Sequence, residues 1–374
     1  AQHLITAPKI KAYLRFGFDP DGNFNLPTTP EAARAWVRMA HKAGADGIKD
    51  AGFSPEVIRA TADEARKLGL PIMVHHRQMM VARWNVLDSA RAGVKSMEHW
   101  YGLPEAMYED RAVFHYPADY SYQNEQWRFG EGGKLYAQSA KPYSEKWNAV
   151  MNELLKLDFT LNPTFVVYEK YRDYMRARTN EWFEYYAFPD DHARRFAPST
   201  RHHGAAQHDW TTENETNWQA QFRLWMTFVN EYKNRGGRVT TGSDEGMLYG
   251  FSLIRELELL QEAGFHPLEV IRAATLHSAE LLGIDHEVGS VEIGKVADLV
   301  IVEENPLKNF KVLYGTGHIR LMPDGTVKRV GGVKYTIKDG LIYDAKRLLA
   351  DVKAMVDAEK ARTGKRIVQP GFEG

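Results

Sequence analysis

Four residues set side chains able to hold a metal or handle protons in the same local context. Lys49 follows Gly47-Ile48, His75 follows Met73-Val74, His99 follows Met97-Glu98, and Asp244 follows Thr241-Gly242-Ser243. Each closes a short apolar run that reads as a β-strand. Their intervals along the chain are 26, 24 and 145 residues; the first two match one strand-helix unit, and the third skips a strand and long aromatic stretches. In a βα-barrel the carboxyl ends of all strands open on one face, so residues distant in sequence meet there. Imidazole suits zinc, iron or manganese, and a carboxylate can both coordinate a cation and accept a proton from water. Taken singly, Lys49 reads as a surface lysine and either histidine as a packed core residue; their joint recurrence at strand ends sets them apart.

The neighbours read differently. Strand alternation sends His76 to the side opposite His75, as a packed residue or a support rather than a ligand. Glu98, just before His99, is expected by the same logic to face the helical layer. His202, His203 and His208 could bind a cation, but they sit in a polar stretch that reads as solvent-exposed loop. The 374 residues carry 48 Lys and Arg against 49 Asp and Glu, a net charge of -1, which gives no field for gathering nucleic acid or acidic lipid. Cysteine is absent, so disulfides, thiolate nucleophiles and cysteine metal sites are excluded; histidine, carboxylate or a modified lysine must hold any metal. No apolar run approaches the roughly 20 residues needed to cross a bilayer. Residues 1–6 lack the basic-then-apolar order of a signal peptide, and the compartment stays open.

The elements that must position these residues follow one grammar. Ile10–Phe18 reads as a strand, Thr29-Pro30-Glu31 starts a helix through Ala43, and Gly44 leads into a strand ending at Lys49. The cycle repeats with a helix from Ser54-Pro55-Glu56 to Lys67, a strand over Leu70–His75, a helix over Trp84–Ala92 and a strand over Val94–His99. Residues 100–147 are aromatic and aperiodic, as expected of an elaborated loop over a scaffold. A strand is expected over Phe159–Val167, helical sequence over Tyr168–Tyr186, a helix over Trp218–Asn234 and a sixth strand over Gly237–Gly242. Helices follow over Phe251–Ala263 and His266–Leu282. From Val288 the pattern changes to short β runs with Asp324-Gly325 and Asp339-Gly340 turns, then an amphipathic helix over Asp344–Ala361.

With those segments in place, the chain resembles the amidohydrolase superfamily, near its imidazolonepropionase-like and prolidase-like members. The resemblance rests on residues 44–49, Val74-His75, residues 93–99, Asn162-Pro163-Thr164-Phe165, Thr241-Gly242-Ser243-Asp244, Ala273-Ala274-Thr275 and residues 289–300. It implies an α/β fold, a (β/α)8 TIM-type barrel over residues 1–285 with insertions at about 101–147 and 170–220. A small β-sandwich module over 286–345 and a helix and tail over 346–374 would complete the chain. Carried over to this sequence, Lys49 would be a carbamate formed with carbon dioxide that bridges two divalent metals, zinc first, with manganese or iron as alternatives. His75 and His99 would be ligands, Asp244 a ligand and proton shuttle, and Tyr168 a substrate contact. The reaction implied is attack of metal-bound hydroxide on a dipeptide-like or cyclic amide. Lactone, ester or deamination chemistry, or a non-catalytic binding or assembly subunit, are the alternatives, since fold alone does not choose the bond. Relatives with export signals tilt the compartment toward periplasm or secretion.

The superfamily pattern also has a His-x-His pair on its first barrel strand, and none occurs among the fourteen histidines. Six barrel strands are found where closure takes eight. The expected partner is therefore a companion chain or removed segment supplying two strands and the histidine pair, alongside a small-molecule or peptide substrate.

Overall fold

Alternating apolar runs and capped amphipathic segments fold as consecutive βα units. The computed structural model describes residues 7–50, 52–180, 182–197, 199–201, 207–244 and 250–367. The first units are β1 (Tyr13–Arg15), α1 (Pro30–Lys42), β2 (Gly47–Lys49), α2 (Pro55–Lys67), β3 (Ile72–Val74), α3 (Val86–Arg91) and β4 (Ser96–Glu98). The elaborated region holds α4 (Leu103–Ala106), α5 (Glu125–Gly132) and α6 (Glu145–Lys156) before β5 (Thr160–Asn162). Then come α7 (Phe165–Arg172), α8 (Tyr174–Arg178), α9 (Trp182–Tyr186), α10 (Pro189–Phe196), α11 (Thr212–Asn234) and β6 (Arg238–Val239), followed by α12 (Ser252–Glu262), α13 (Pro267–Ala274) and α14 (Leu276–Leu282).

Strands β1 to β6 form one parallel sheet in chain order, the arrangement of six successive barrel staves. The caps are the ones the sequence announces. Thr29 accepts a hydrogen bond from the Ala32 N–H with Pro30 in the first turn, and Ser54 accepts from Val57 with Pro55. Asn85 and Asp88 form a reciprocal capping box at α3.

Register divides the sheet into two chemically distinct faces. Leu14 pairs with Ile48 and Ile48 with Ile72, while Val74 pairs with Met97, Met97 with Leu161 and Leu161 with Val239. All but Leu14 are buried, and they form the core between sheet and helices. The opposite face carries Arg15, Lys49, Met73, Ser96, Thr160 and Arg238 in register, a polar lumen row. Glu98 pairs with Asn162 and shares a face with Ser96, so it points into the lumen and not toward the helices as expected. The expectation failed because His99 does not obey the alternation: its φ of 68° lies in the left-handed region and re-aims the side chain just past the strand.

Other boundaries shift for local reasons. The strand expected over Phe159–Val167 ends at Asn162, because Thr164 turns with φ 51° into α7, so Tyr168 is helical. Helical sequence over Tyr168–Tyr186 is divided at Asp173, which caps α8. The segment His266–Leu282 breaks at Thr275, where φ is -122° and ψ -85°. Residues 100–147 contain short helices rather than loop alone, and α11 starts at a Thr211 capping box, ahead of Trp218.

After the barrel units come β7 (Leu299–Val302), β8 (His318–Leu321), β9 (Val327–Val330), β10 (Val333–Lys338), β11 (Leu341–Asp344) and α15 (Ala345–Thr363). Antiparallel β7, β10 and β11 make one sheet, and β8 and β9 make a separate hairpin. Asp339 and Gly340 have φ of 51° and 77° between the paired Lys338 and Leu341, the positive values a two-residue type I′ turn requires. No described helix is long and apolar enough to cross a membrane.

Candidate functional site: a histidine and carboxylate rim

The site forms where β2 to β6 end. Lys49 is the last residue of β2 on the lumen face, and His75 and His99 each stand one residue past β3 and β4. The burial alternation of β3 continues through His75 and His76, which keeps His75 on the lumen side and buries His76 outward. His76 accordingly pairs with the Ser89 hydroxyl on α3 at 2.8 Å and supports the scaffold, as expected. Asp50 turns with φ 62°, and its Oδ1 accepts the His75 backbone N–H at 3.1 Å, fixing the chain as it leaves β3.

The two imidazoles meet edge to face with ring centroids 4.7 Å apart. His99 Nε2 lies 3.5 Å from Asp244 Oδ2, and Tyr168 packs against the His99 ring at 5.5 Å. Burial holds His75 well below its ordinary pKa, and its electrostatic coupling to His99, Lys49 and Arg128 pushes the same way. Lys49 forms no ion pair or side-chain hydrogen bond among the described residues, yet its charge is felt at both His75 and Glu98. Thus His75, His99, Asp244 and Tyr168 are brought together, with Lys49 on the adjoining stave. His202 and His203 lie outside the described residues; His208 is exposed and takes no part in these contacts.

Residues given no role at the site from the sequence organise this rim. The Thr164 hydroxyl donates to Pro163 O at 2.6 Å, so it accepts from His99 Nδ1 at 2.5 Å. That assigns the Nδ1–H tautomer to His99 and turns Nε2 toward Asp244. Glu98 accepts from Ser96 Oγ at 2.9 Å and Asn162 Nδ2 at 2.6 Å, and burial raises its pKa against the opposing charge of Lys49. Glu98 was detectable by counting alternation from Ser96; Thr164, in an aperiodic turn, left no such signal.

Two acceptors facing each other across 3.5 Å need a proton or a cation between them. The donor types therefore fit a divalent ion, with Nε2 of His99 turned toward Asp244 by the tautomer Thr164 sets. Among the described residues no group of three His, Asp or Glu side chains closes on a common point that could hold a metal ion.

A sequence profile of the Amidohydrolase family matches residues 226–341. The imidazolonepropionase of Brevibacillus brevis is 37% identical over 65 residues, 17% of this chain and 15% of that protein. Adenine deaminase 1 of Desulfotalea psychrophila is 47% identical over 51 residues, 14% of this chain and 8% of that protein. The chain thus aligns with only a small part of these curated relatives. A crystal structure described as a prolidase from Bifidobacterium longum superposes with a TM-score of 0.55 at 22% identity, covering 95% of this chain and 71% of that one, a likeness of fold. Residues 226–341 thus resemble the Amidohydrolase family, and the parallel staves share the fold of that crystal structure.

Proposed function

We propose that the chain carries the metal-binding and proton-transfer rim of a hydrolase that cleaves an amide bond in a dipeptide-like or cyclic amide substrate. The observation behind this reading is the convergence of His75, His99 and Asp244 at the lumen end of parallel staves, next to Lys49. Divalent cations bound there, zinc first and manganese or iron as alternatives, would polarise the scissile carbonyl and make water acidic enough to attack near neutral pH.

The chain's own groups then divide the work. His75 and His99 offer neutral imidazole nitrogens, kept so at His75 by burial and neighbouring positive charge. Lys49 would acquire its ligand oxygens when Nζ, having first lost one proton to become the free amine, adds to carbon dioxide and releases a second, which converts an ammonium into an anionic carbamate. Glu98, held by Ser96 and Asn162, sets the field in which that amine reacts. Asp244, with more than half of its side chain exposed, takes the proton from the attacking water at a carboxylate oxygen and passes it to the leaving amine. Tyr168, buried against His99, presents its ring to the substrate side of the rim.

We further propose a polypeptide complement, from a companion chain or another segment of the same protein, that pairs with the open edges of β1 and β6. Parallel sheets are covered in stable proteins, and two more staves would bring the barrel to eight and add imidazole ligands. Metal analysis of the assembled protein tests the reading: about two equivalents of divalent metal are expected, with occupancy and amidase turnover both lost in His99→Ala and Lys49→Ala. Metal-free protein with full amidase activity would refute it. The likeness to adenine deaminases supports a second reading, hydrolytic deamination; release of ammonia from an aminopurine without amidase activity would select it.

A further inference from the structure

A cavity of about 470 Å³ lies where α7, α8, α9 and α12 meet the hairpin of β8 and β9, a volume within the range of small-molecule sites. It is separate from the rim. Neighbours on α7 diverge: Tyr168 packs on His99, whereas Glu169 lines this cavity, and none of Lys49, His75, His99 and Asp244 is in its wall.

Charge in that wall is unbalanced. Arg176, Arg255, Lys311 and Arg329 face the two carboxylates Glu169 and Glu258, which with His318 neutral leaves two positive charges in surplus among the described lining residues. Both carboxylates are already engaged. Glu169 accepts from Arg255 Nη2 at 2.6 Å and Arg172 Nη2 at 3.2 Å, and Glu258 accepts from Arg255 Nη1 at 2.8 Å and from Lys311 Nζ. Arg176 stands 3.6 Å from Glu169 and makes no side-chain hydrogen bond among the described residues. The side chains of Arg176 and Lys311 are 50% and 53% exposed, so donors on both remain within reach of a ligand.

Aromatic rings supply the rest of the wall. Trp182 stacks on Phe251 at 5.0 Å and lies 5.0 Å from Tyr314, and all three are buried except for edges at the cavity. Such edges suit edge-to-face contact with a further ring. The Arg329 guanidinium carbon sits 4.9 Å from the Trp182 centroid, which places a cation directly on the apolar surface. Surplus cations beside aromatic edges favour a ligand that has both a ring and an anionic group. A phosphate monoester carries roughly -1.5 to -2 charges at pH 7 together with strong acceptor oxygens, which matches the surplus.

We infer that this cavity is a second binding site and takes a small aromatic phosphate monoester, its phosphate drawn by Arg176, Lys311 and Arg329 and its ring against Trp182, Phe251 and Tyr314. The site does not depend on the hydrolase reading.

Phenyl phosphate is the probe, titrated by calorimetry into the assembled protein, with phenol and inorganic phosphate as its two halves. The ester is expected to bind about tenfold or more tighter than either half. Arg176→Met combined with Lys311→Met changes two half-exposed positions and should lower ester affinity about tenfold or more. Trp182→Leu should lower it severalfold while leaving inorganic phosphate unchanged; the double variant still gives a reading if Trp182→Leu does not fold. His99→Ala should bind the ester as the wild type does. The inference is overturned if the wild type does not bind the ester, if inorganic phosphate binds equally well, or if binding survives the double substitution. Loss of ester binding in His99→Ala would place the ligand at the rim and overturn it too.

Discussion

Replacing Thr164 with valine probes the rim through one hydroxyl. Threonine and valine have nearly the same shape and both are β-branched, so the left-handed backbone at φ 51° and the packing change little. What is lost is the acceptor that holds the His99 Nδ1–H and, through the Thr164–Pro163 hydrogen bond, fixes the tautomer. A buried donor left without its acceptor costs about 1–3 kcal/mol. At 1.4 kcal/mol per tenfold, that corresponds to a loss of roughly 5- to 150-fold in affinity for a metal on Nε2, in line with the roughly 10- to 100-fold effect of removing partners that orient ligands. Competition of zinc between the assembled protein and a fluorescent chelator measures this directly. Thr164→Ser retains the hydroxyl and should stay within a few-fold of wild type. Equal zinc affinity in wild type and Thr164→Val would show that the hydroxyl does not set the ligand state of His99, and the reasoning would fail.

Three further outcomes follow from geometry elsewhere. Burial pushes Lys170 from 10.5 down to about 7, so between those values the unfolded chain binds the extra proton. Stability should therefore rise as pH increases from 7 toward 10, and Lys170→Met should flatten that slope in thermal midpoints taken at each pH. Glu256 accepts the backbone N–H groups of Phe165 at 3.0 Å and Val166 at 2.7 Å at the start of α7; Glu256→Ala should lower stability in urea by about 1–3 kcal/mol per orphaned donor, and Glu256→Gln by less. A Cβ at Gly47 would lie 2.3 Å from the Tyr13 ring on the adjoining stave. Gly47→Ala should cost about 1–3 kcal/mol in denaturant melts, recovered in part by a Tyr13→Ala second change.

Elements with strong local chemistry were legible before any coordinates. Thr29-Pro30, Ser54-Pro55 and Asp339-Gly340 name their caps and turn because side-chain acceptors, fixed φ and positive φ act within a few residues. Strand existence was legible too, though the runs were longer than the strands: the apolar pattern continues past the ladder, as at Phe159–Val167, where Thr164 turns the chain. Failures came where one backbone residue changed the geometry. A left-handed His99 keeps an imidazole at the rim while putting Glu98, its neighbour, into the lumen too, against strict alternation. Arg128 acts electrostatically on His75, 53 residues away in sequence, and Thr164 bonds His99, 65 residues away, relations no periodicity encodes. The aromatic stretch did prove to be a packed unit. Trp100, Trp147, Trp218 and Trp225 are fully buried, and Trp218 donates its indole N–H to Phe129 O at 2.6 Å.

Anomalous diffraction at the zinc edge, from crystals of the protein grown with zinc, addresses the central claim most directly. The account predicts a peak within bonding distance of His75 and His99 Nε2, with Asp244 and oxygen density on Lys49 Nζ beside it. A zinc-replete crystal with no peak at this rim, or with its metal bound wholly by other residues, would contradict it.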